Sequence, residues 1–317
     1  MRSLQGAALA FLLCTFWTRS EAQLSVNPDG VLVKDGTPYR GLGVNYVDAF
    51  RRTLLNPNDT SYDAGFRALS ESGIPFVRLW VSGYYPIEMG LYRTNPDQYF
   101  KQLDAVVASA ERNQVGLIPS FFWNYATVPD LVGEPCNQWG NTNSQTHAFM
   151  RDFTAQIVTR YRGSKAIWGW EFGNELNLMA DLPNAADWRP YVNPDLGTPP
   201  FRSEADDLTH EIIGTAFTAF AREVRRYDPT RIISTGNSLP RPYAWHLWQH
   251  AGWIADTAEQ FAQMMEMENP APIDVFSGHA YEDFARISDA MRVAKAAKKP
   301  LLLGEFGVSG QPSSETG

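Results

Sequence analysis

The sequence predicts a single (β/α)8 barrel of the TIM type, and three observations carry that prediction. Short apolar runs recur at a regular interval, amphipathic helical stretches separate them, and no break in composition divides the chain. Runs that are apolar at nearly every position fit parallel strands covered on both faces. Polar side chains gather where these runs end, which is the face on which such barrels hold their sites.

The elements follow in chain order. Residues 1–22 are expected to be an export signal. Arg2 gives a positive end, residues 6–17 are apolar, and Ser20-Glu21-Ala22 ends in a small residue suited to cleavage. The apolar stretch is too short to cross a bilayer as a helix, so no membrane association is expected after cleavage, and the chain is expected to be secreted. The remaining domain, residues 23–317, keeps one cysteine, Cys136, and has no internal disulfide. "LSVNPDGVLVKDGTPYRGLGVNY" alternates apolar runs with Pro-Asp-Gly and Asp-Gly, the pattern of a hairpin leading into a strand.

Buried strands are predicted at 39–45, 75–81, 115–123, 167–173, 231–236, 273–280 and 299–305. Helices are predicted between them at 63–72, 96–114, 145–162, 206–227, 255–268 and 283–298. In the third helix Phe149, Phe153, Ile157 and Tyr161 recur every four residues and lay down one apolar stripe. Asp206 and Asp207 are expected to open the fourth, where the helix dipole favours acidic side chains. Segments 128–143 and 178–206 hold much of the Pro, Asn and Gly and read as loops that shape a cleft. The strand count stops at seven. The barrel is therefore expected to be truncated before its eighth strand, leaving the sheet open between its first and last members.

Composition narrows the function. The net charge is −8, from 27 Lys and Arg against 35 Asp and Glu, with no basic block dense enough to track phosphates. Nucleic acid is not an expected partner. "GLGVNY" has the wrong spacing for a dinucleotide fingerprint, and the histidines are scattered with no His-x-x-x-His or Cys pair. Neither a cofactor nor a metal is expected. Ten Trp and thirteen Tyr are generous for this length, and their flat rings serve both cores and sugar-binding surfaces.

Two glutamates stand out. Glu175, in "WGWEFGNELNL", and Glu305, in "KPLLLGEFG", each end an apolar strand. Carboxylates at strand ends on one face of a barrel converge across a cleft, and a carboxylate pair is what glycoside hydrolysis needs. In the retaining route one attacks the anomeric carbon while the other protonates the leaving oxygen. A lone strand-end Glu is more simply a salt bridge or cap; two in matching contexts favour chemistry. Asn174, beside Glu175, suits a sugar hydroxyl, or else a turn. Arg78 lies inside the apolar "PFVRLWV" and must be paired if buried. Holding the nucleophilic carboxylate ionised would be a suitable task, and a purely structural ion pair is the alternative. His279 and Tyr281, two apart in "SGHAYED", share a strand face, where the Tyr hydroxyl would donate to the nucleophile and the His bind substrate, or else both serve the core. Trp80, Tyr84, Tyr85, Trp245 and Trp248 are further candidates to line the cleft.

"VRLW", "WEFGNE", "GHAY" and "LLLGEFG", in this order at successive strand ends, resemble the glycoside hydrolases of the large barrel clan. They are most similar to family 5, the cellulase and β-mannanase group. The resemblance covers residues 24 to 309. It implies Glu175 as acid/base, Glu305 as nucleophile, and Arg78, Asn174, His279 and Tyr281 as the supporting shell. "WEFGNE" is similar to the form common in β-1,4-mannanases of the family, which places mannan ahead of glucan. Glu171 would then be a deeper structural charge paired with an Arg. The chain departs from the family where a His is often found near the end of strand three. Trp123 and Asn124 stand there, as a stacking platform and a polar contact. A second departure is the missing Trp of strand eight. The expected protein is thus a monomeric retaining glycosidase acting on a polysaccharide. The rival expectation is a carbohydrate-binding protein without turnover.

Overall fold

The computed structural model describes residues 23–281 and 283–307. The expected export signal and the expected lack of an eighth strand both concern residues outside these. β1 (Leu24–Val26), β2 (Leu32–Lys34) and β3 (Thr37–Pro38) form an antiparallel sheet. It closes the lower end of the barrel: Leu24 donates its amide to the Trp168 carbonyl at 2.9 Å and packs with Trp168, Ile232 and Val275.

Five parallel strands come next, in the spatial order β4 (Val44–Asn45), β5 (Phe76–Trp80), β6 (Gly116–Phe122), β7 (Gly169–Gly173) and β8 (Ile232–Ser234). β9 (Phe276–Tyr281) and β10 (Leu301–Gly307) form a second parallel pair. Helices α1 (Arg51–Leu55), α2 (Ser61–Glu71), α3 (Gly90–Thr94), α4 (Pro96–Arg112) and α5 (Thr127–Val132) lie between β4 and the stretch after β6. They are followed by α6 (Gln145–Tyr161), α7 (His210–Tyr227), α8 (Ala244–Trp248), α9 (Ala258–Met267) and α10 (Phe284–Ala297). All six predicted helices form; the four others are short turns of helix inside loops.

Local chemistry sets the helix starts. Asn95 accepts from the Gln98 amide ahead of Pro96, Ser144 accepts from His147, and Thr257 and Gln260 form a reciprocal capping box. The predicted start at residue 206 is corrected by the same rule. Thr209 caps α7 through the Ile212 amide, whereas Asp206 is buried, caps a 3-10 turn with Ser203 and pairs with Arg202 at 3.4 Å. Asp207 pairs with Arg189 at 2.7 Å. Both acids hold the long loop together and do not open the helix.

Alternation along the strands sorts the side chains. Arg78 and Glu171 meet inside the barrel, while Val77, Leu79, Phe121, Trp170 and Phe172 join the core beneath the helices. Phe153, Phe217 and Phe220 meet them there in edge-on pairs with centroids 5.1–6.0 Å apart. Side chains stitch β8 to β9. The Asp274 amide donates to the Ile233 carbonyl at 3.1 Å, its carboxylate accepts from the Ile233 amide at 2.6 Å, and Ser277 Oγ reaches the Asn237 carbonyl at 3.1 Å.

The predicted first strand, 39–45, shrinks to the two exposed residues of β4. Among the described residues it has a ladder on one side only, towards β5. Between β4 and β10 lies a cavity of about 1030 Å³ lined by Val44, Asn45, Phe76, Leu301, Leu303 and Phe306. Asn45 Nδ2, donating to the Gly304 carbonyl at 3.2 Å, crosses its inner edge.

A buried polar group fastens the loops on the upper face. His210 stands with Nδ1 on Asp181 and Nε2 3.1 Å from Glu268. Burial alone would lower the imidazole's pKa, but hydrogen bonds and charge from Asp181 and Glu268 outweigh it and hold it up to about 9, above the ordinary 6.5. A raised value in the folded state means that its stabilisation is complete below pH ~6.5 and is lost as pH rises through ~9. Urea unfolding of the wild type should weaken across that window, and His210→Gln should remove this part of the pH dependence.

Candidate active site

Strands β5, β7, β9 and β10, with the turn after β7, deliver six of the polar side chains predicted from the sequence to one place. Arg78 projects from the middle of β5 and is 2% exposed. Its Nε and Nη2 donate to Glu171 at 2.8–3.2 Å, and its Nη1 donates to Glu305 Oε1 at 3.1 Å. Nη1 also reaches Asn45 Oδ1 at 3.2 Å and the Gly304 carbonyl at 3.3 Å, and Nη2 reaches Asn174 Oδ1 at 3.4 Å. One guanidinium thus touches β4, β7, β10 and the loop after β7, with its face 4.8 Å from the centre of the Trp123 ring. Burial opposes its charge, but Glu171 and Glu305 outweigh burial and keep it cationic.

Glu305 faces inward because β10 is irregular. Its register against β9 slips between Leu303 and Glu305, so that Gly304 bulges and Glu305 lies opposite His279. Only glycine fits the bulge, since a Cβ there would come within 2.7 Å of His279 Nε2. Tyr281 donates its hydroxyl to Glu305 Oε2 at 2.6 Å. Burial alone would raise the Glu305 pKa; His279, the Tyr281 hydroxyl and Arg78 outweigh it and hold the carboxyl below its ordinary range. The Tyr281 hydroxyl is correspondingly pushed up, first by burial and then by Glu305.

Glu175 sits just past β7 with φ +54°, a left-handed conformation that non-glycine residues seldom adopt. Its amide donates to the Gly236 carbonyl at 2.9 Å, and its carbonyl accepts from Leu178 at 3.0 Å. The side chain meets His279 Nδ1 at 3.0 Å, and the same nitrogen lies 3.6 Å from Glu305 Oε1. The ring proton belongs on Nδ1, because both atoms it faces are carboxylate oxygens. One oxygen of each glutamate and the His279 nitrogen all lie within 4.8 Å of one another. These three are close enough to share a cation, but the Arg78 and Tyr281 donors and the Nδ1 proton already occupy these oxygens.

The remaining candidates divide. Trp123 belongs to a cluster with Trp80, at 5.3 Å between centroids, and Trp80 in turn lies tilted against Tyr84 at 5.3 Å. Asn124 does a loop's work: its Nδ2 donates to the Tyr84 carbonyl at 3.0 Å, and its Oδ1 accepts from the Ala126 amide at 3.1 Å. Trp245 and Trp248 turn their indole N–H groups to Gln263 and Glu211 on the helix side. Glu171 is fully buried against Arg78. Asn45 and Arg241 are two members that sequence reasoning passed over. Asn45 stood in "GLGVNY" on a short strand. Arg241 follows β8 in a loop, lies 5.6 Å from the Trp188 ring, and is influenced by Glu268 and Glu175. Its pKa is lowered, chiefly by burial.

The family model for cellulase (glycosyl hydrolase family 5) matches residues 35–316. The chain belongs to glycoside hydrolase family 5. Curated relatives include mannan endo-1,4-beta-mannosidase A of Hypocrea jecorina, 30% identical over 37% of this chain and 31% of that protein. Probable mannan endo-1,4-beta-mannosidase C of Aspergillus terreus is 21% identical over 88% of this chain and 73% of that protein. The chain spans about a third of the length of the first of these relatives. Among solved structures, the endo-1,4-beta-mannanase of Rhizomucor miehei superposes with a TM-score of 0.63 at 14% identity, over 91% of this chain and 83% of that one. This family 5 domain is a (β/α)8 barrel.

In this family 5 chain, breaking one buried ion pair should be costly. Glu171→Ala leaves the Arg78 guanidinium without its main partner and should lower unfolding free energy by about 3–5 kcal/mol in urea titration.

Proposed function

We propose that this chain is a retaining glycosidase that hydrolyses β-1,4-linked polysaccharide, with β-mannan ahead of β-glucan, and that it works outside the cell. The observation that carries the reading is the pair Glu175 and Glu305, joined by His279 within 4.8 Å. Retaining enzymes keep their carboxyl groups about 5 Å apart, and inverting ones about 6.5–9.5 Å to admit a water between them.

The environments of the two glutamates support different roles. Glu305 accepts from Arg78 and Tyr281, has His279 3.6 Å away, and is held ionised, which suits the nucleophile. Glu175 has one such donor, His279, and is the more exposed of the two, which suits a group that must reach the leaving oxygen and then water. In the first step Glu305 forms a bond to the anomeric carbon while Glu175 gives its proton to the departing glycosidic oxygen. In the second, Glu175 takes a proton from water as the water oxygen attacks the glycosyl ester and releases Glu305. Asn174, held through Arg78, is assigned to a sugar hydroxyl and Trp123 to a sugar face; Asn124 is assigned to the loop that carries Trp123. The preference for mannan rests on "WEFGNE" and on the mannosidase names of the relatives.

Reducing-sugar release from β-1,4-mannan and from β-1,4-glucan tests the proposal. Release should be greater from mannan, Glu305→Ala should abolish it, and Glu175→Ala should lower it by about 10²–10⁴-fold. Activity retained in Glu305→Ala ends the reading. Tyr281→Phe removes a donor to ionised Glu305, so the acid limb of the kcat/KM profile should move to higher pH.

A further inference from the structure

The upper face holds a second polar constellation that no step of the proposed reaction uses. His210, Glu268 and Asn177 are each at most 4% exposed. His210 Nε2 meets Glu268 Oε1 at 3.1 Å, and Glu268 Oε2 accepts from Asn177 Nδ2 at 2.6 Å. The same Nδ2 also donates to the Ser238 carbonyl at 3.0 Å, while Asn177 Oδ1 accepts from the Ser238 amide at 3.2 Å. Asp181, at φ +54°, holds the other side of His210 through the ring Nδ1 and the His210 amide.

Two features tie this group to Glu175. Asn177 lies in the 3-10 turn Leu176–Met179 that Glu175 opens, so it fixes the backbone from which the glutamate projects. Its partner Ser238 donates its hydroxyl to the His279 carbonyl at 3.1 Å, and the next residue, Leu239, donates its amide to that carbonyl at 3.2 Å. The Asn177 amide therefore joins the turn that carries Glu175 to the Ser238 backbone, and Ser238 and Leu239 in turn hold the backbone carbonyl of His279. Helix stability does not explain the placement. His210 stands at the first position of α7, and Glu268 caps the C-terminus of α9. A cation at an N-terminus and an anion at a C-terminus are both disfavoured by the helix dipole.

We propose that His210, Glu268 and Asn177 are positioning residues that set the Glu175 carboxyl against His279 from beneath the site. Both ring nitrogens of His210 face carboxylate oxygens, so both donate, and the imidazolium offsets the charges of Asp181 and Glu268. The other charged groups that act on this cluster are Arg286 and Arg241, near Glu268, and Glu211, near His210. Loss of the His210–Glu268 contact frees Asn177 and loosens the turn. Glu175 would then fail as proton donor while Glu305 keeps its own partners.

The inference rests on Glu175 being the acid/base, and the test separates the two. Glu268→Gln keeps the shape and removes the charge; Asn177→Ser removes the bridging amide. Each is compared with wild type and Glu175→Gln on mannohexaose and on dinitrophenyl β-mannobioside, whose leaving group needs no proton. Both variants should lose on the order of 10²-fold in kcat/KM on the oligosaccharide, the cost of a misplacement of about 1 Å. On the dinitrophenyl substrate they should stay within about twofold, since general-acid help is not required there. Equal loss on both substrates, no loss on either, or failure of both variants to fold would overturn the positioning role. If Glu175→Gln itself shows no difference between the substrates, the acid/base assignment falls first.

Discussion

The Arg78 guanidinium is the centre on which the site depends. It is buried in the barrel, so its charge must be met by partners, and the partners are the functional groups themselves. Glu171 supplies a fully buried counter-charge from β7. That leaves Nη1 free to reach Asn45, Gly304 and Glu305 across the gap between β4 and β10. Where backbone pairing between these strands is lacking among the described residues, a cation and an amide side chain supply the cross-link. The same contacts that hold β10 in place hold Glu305 ionised, so the fold and the charge of this carboxylate share one set of bonds.

Around that centre the two glutamates are separated by environment more than by distance. Glu305 is placed by a β-bulge and receives two donors, Arg78 and Tyr281, with His279 3.6 Å away. Glu175 is placed by a left-handed residue and a short turn, and its carboxyl receives one. His279 reaches both and links them. Irregular backbone at each glutamate is the local cost of aiming two side chains at a single point, and it is met by buried hydrogen bonds beneath. Asn177, Ser238 and Glu268 belong to that lower layer.

Much of this was legible in the sequence because periodicity and strand-end chemistry are local. The helix of residues 145–162 announced itself by an apolar side chain every fourth position, and it forms as Gln145–Tyr161. Glu175, Glu305, Arg78, Asn174, His279 and Tyr281 were each marked by a polar residue interrupting or ending an apolar run, and the structure brings these six together. Asp206 and Asp207 misled because the dipole rule concerns helix starts, whereas the Ser203 capping box and ion pairs with Arg202 and Arg189 hold them in the loop. Asn124 fits a polar contact by type, but its amide is satisfied by its own loop and by Tyr84.

By itself the sequence determined the order of strands and helices, the carboxylate pair and the buried arginine, because each follows from the pattern of apolar and polar residues along one segment. The tertiary structure alone decided which partners these groups have. Asn45 joins the site only because β4 lies beside β5 and faces β10, and Arg241 only because its loop folds back towards the turn after Glu175. The His210–Glu268–Asn177 cluster is assembled from the start of one helix, the end of another and a turn between strands, separated by up to 91 residues. No local spacing records such a meeting. It arises when the barrel brings distant loops to one face, and burial then selects the pairs whose hydrogen bonds are complete.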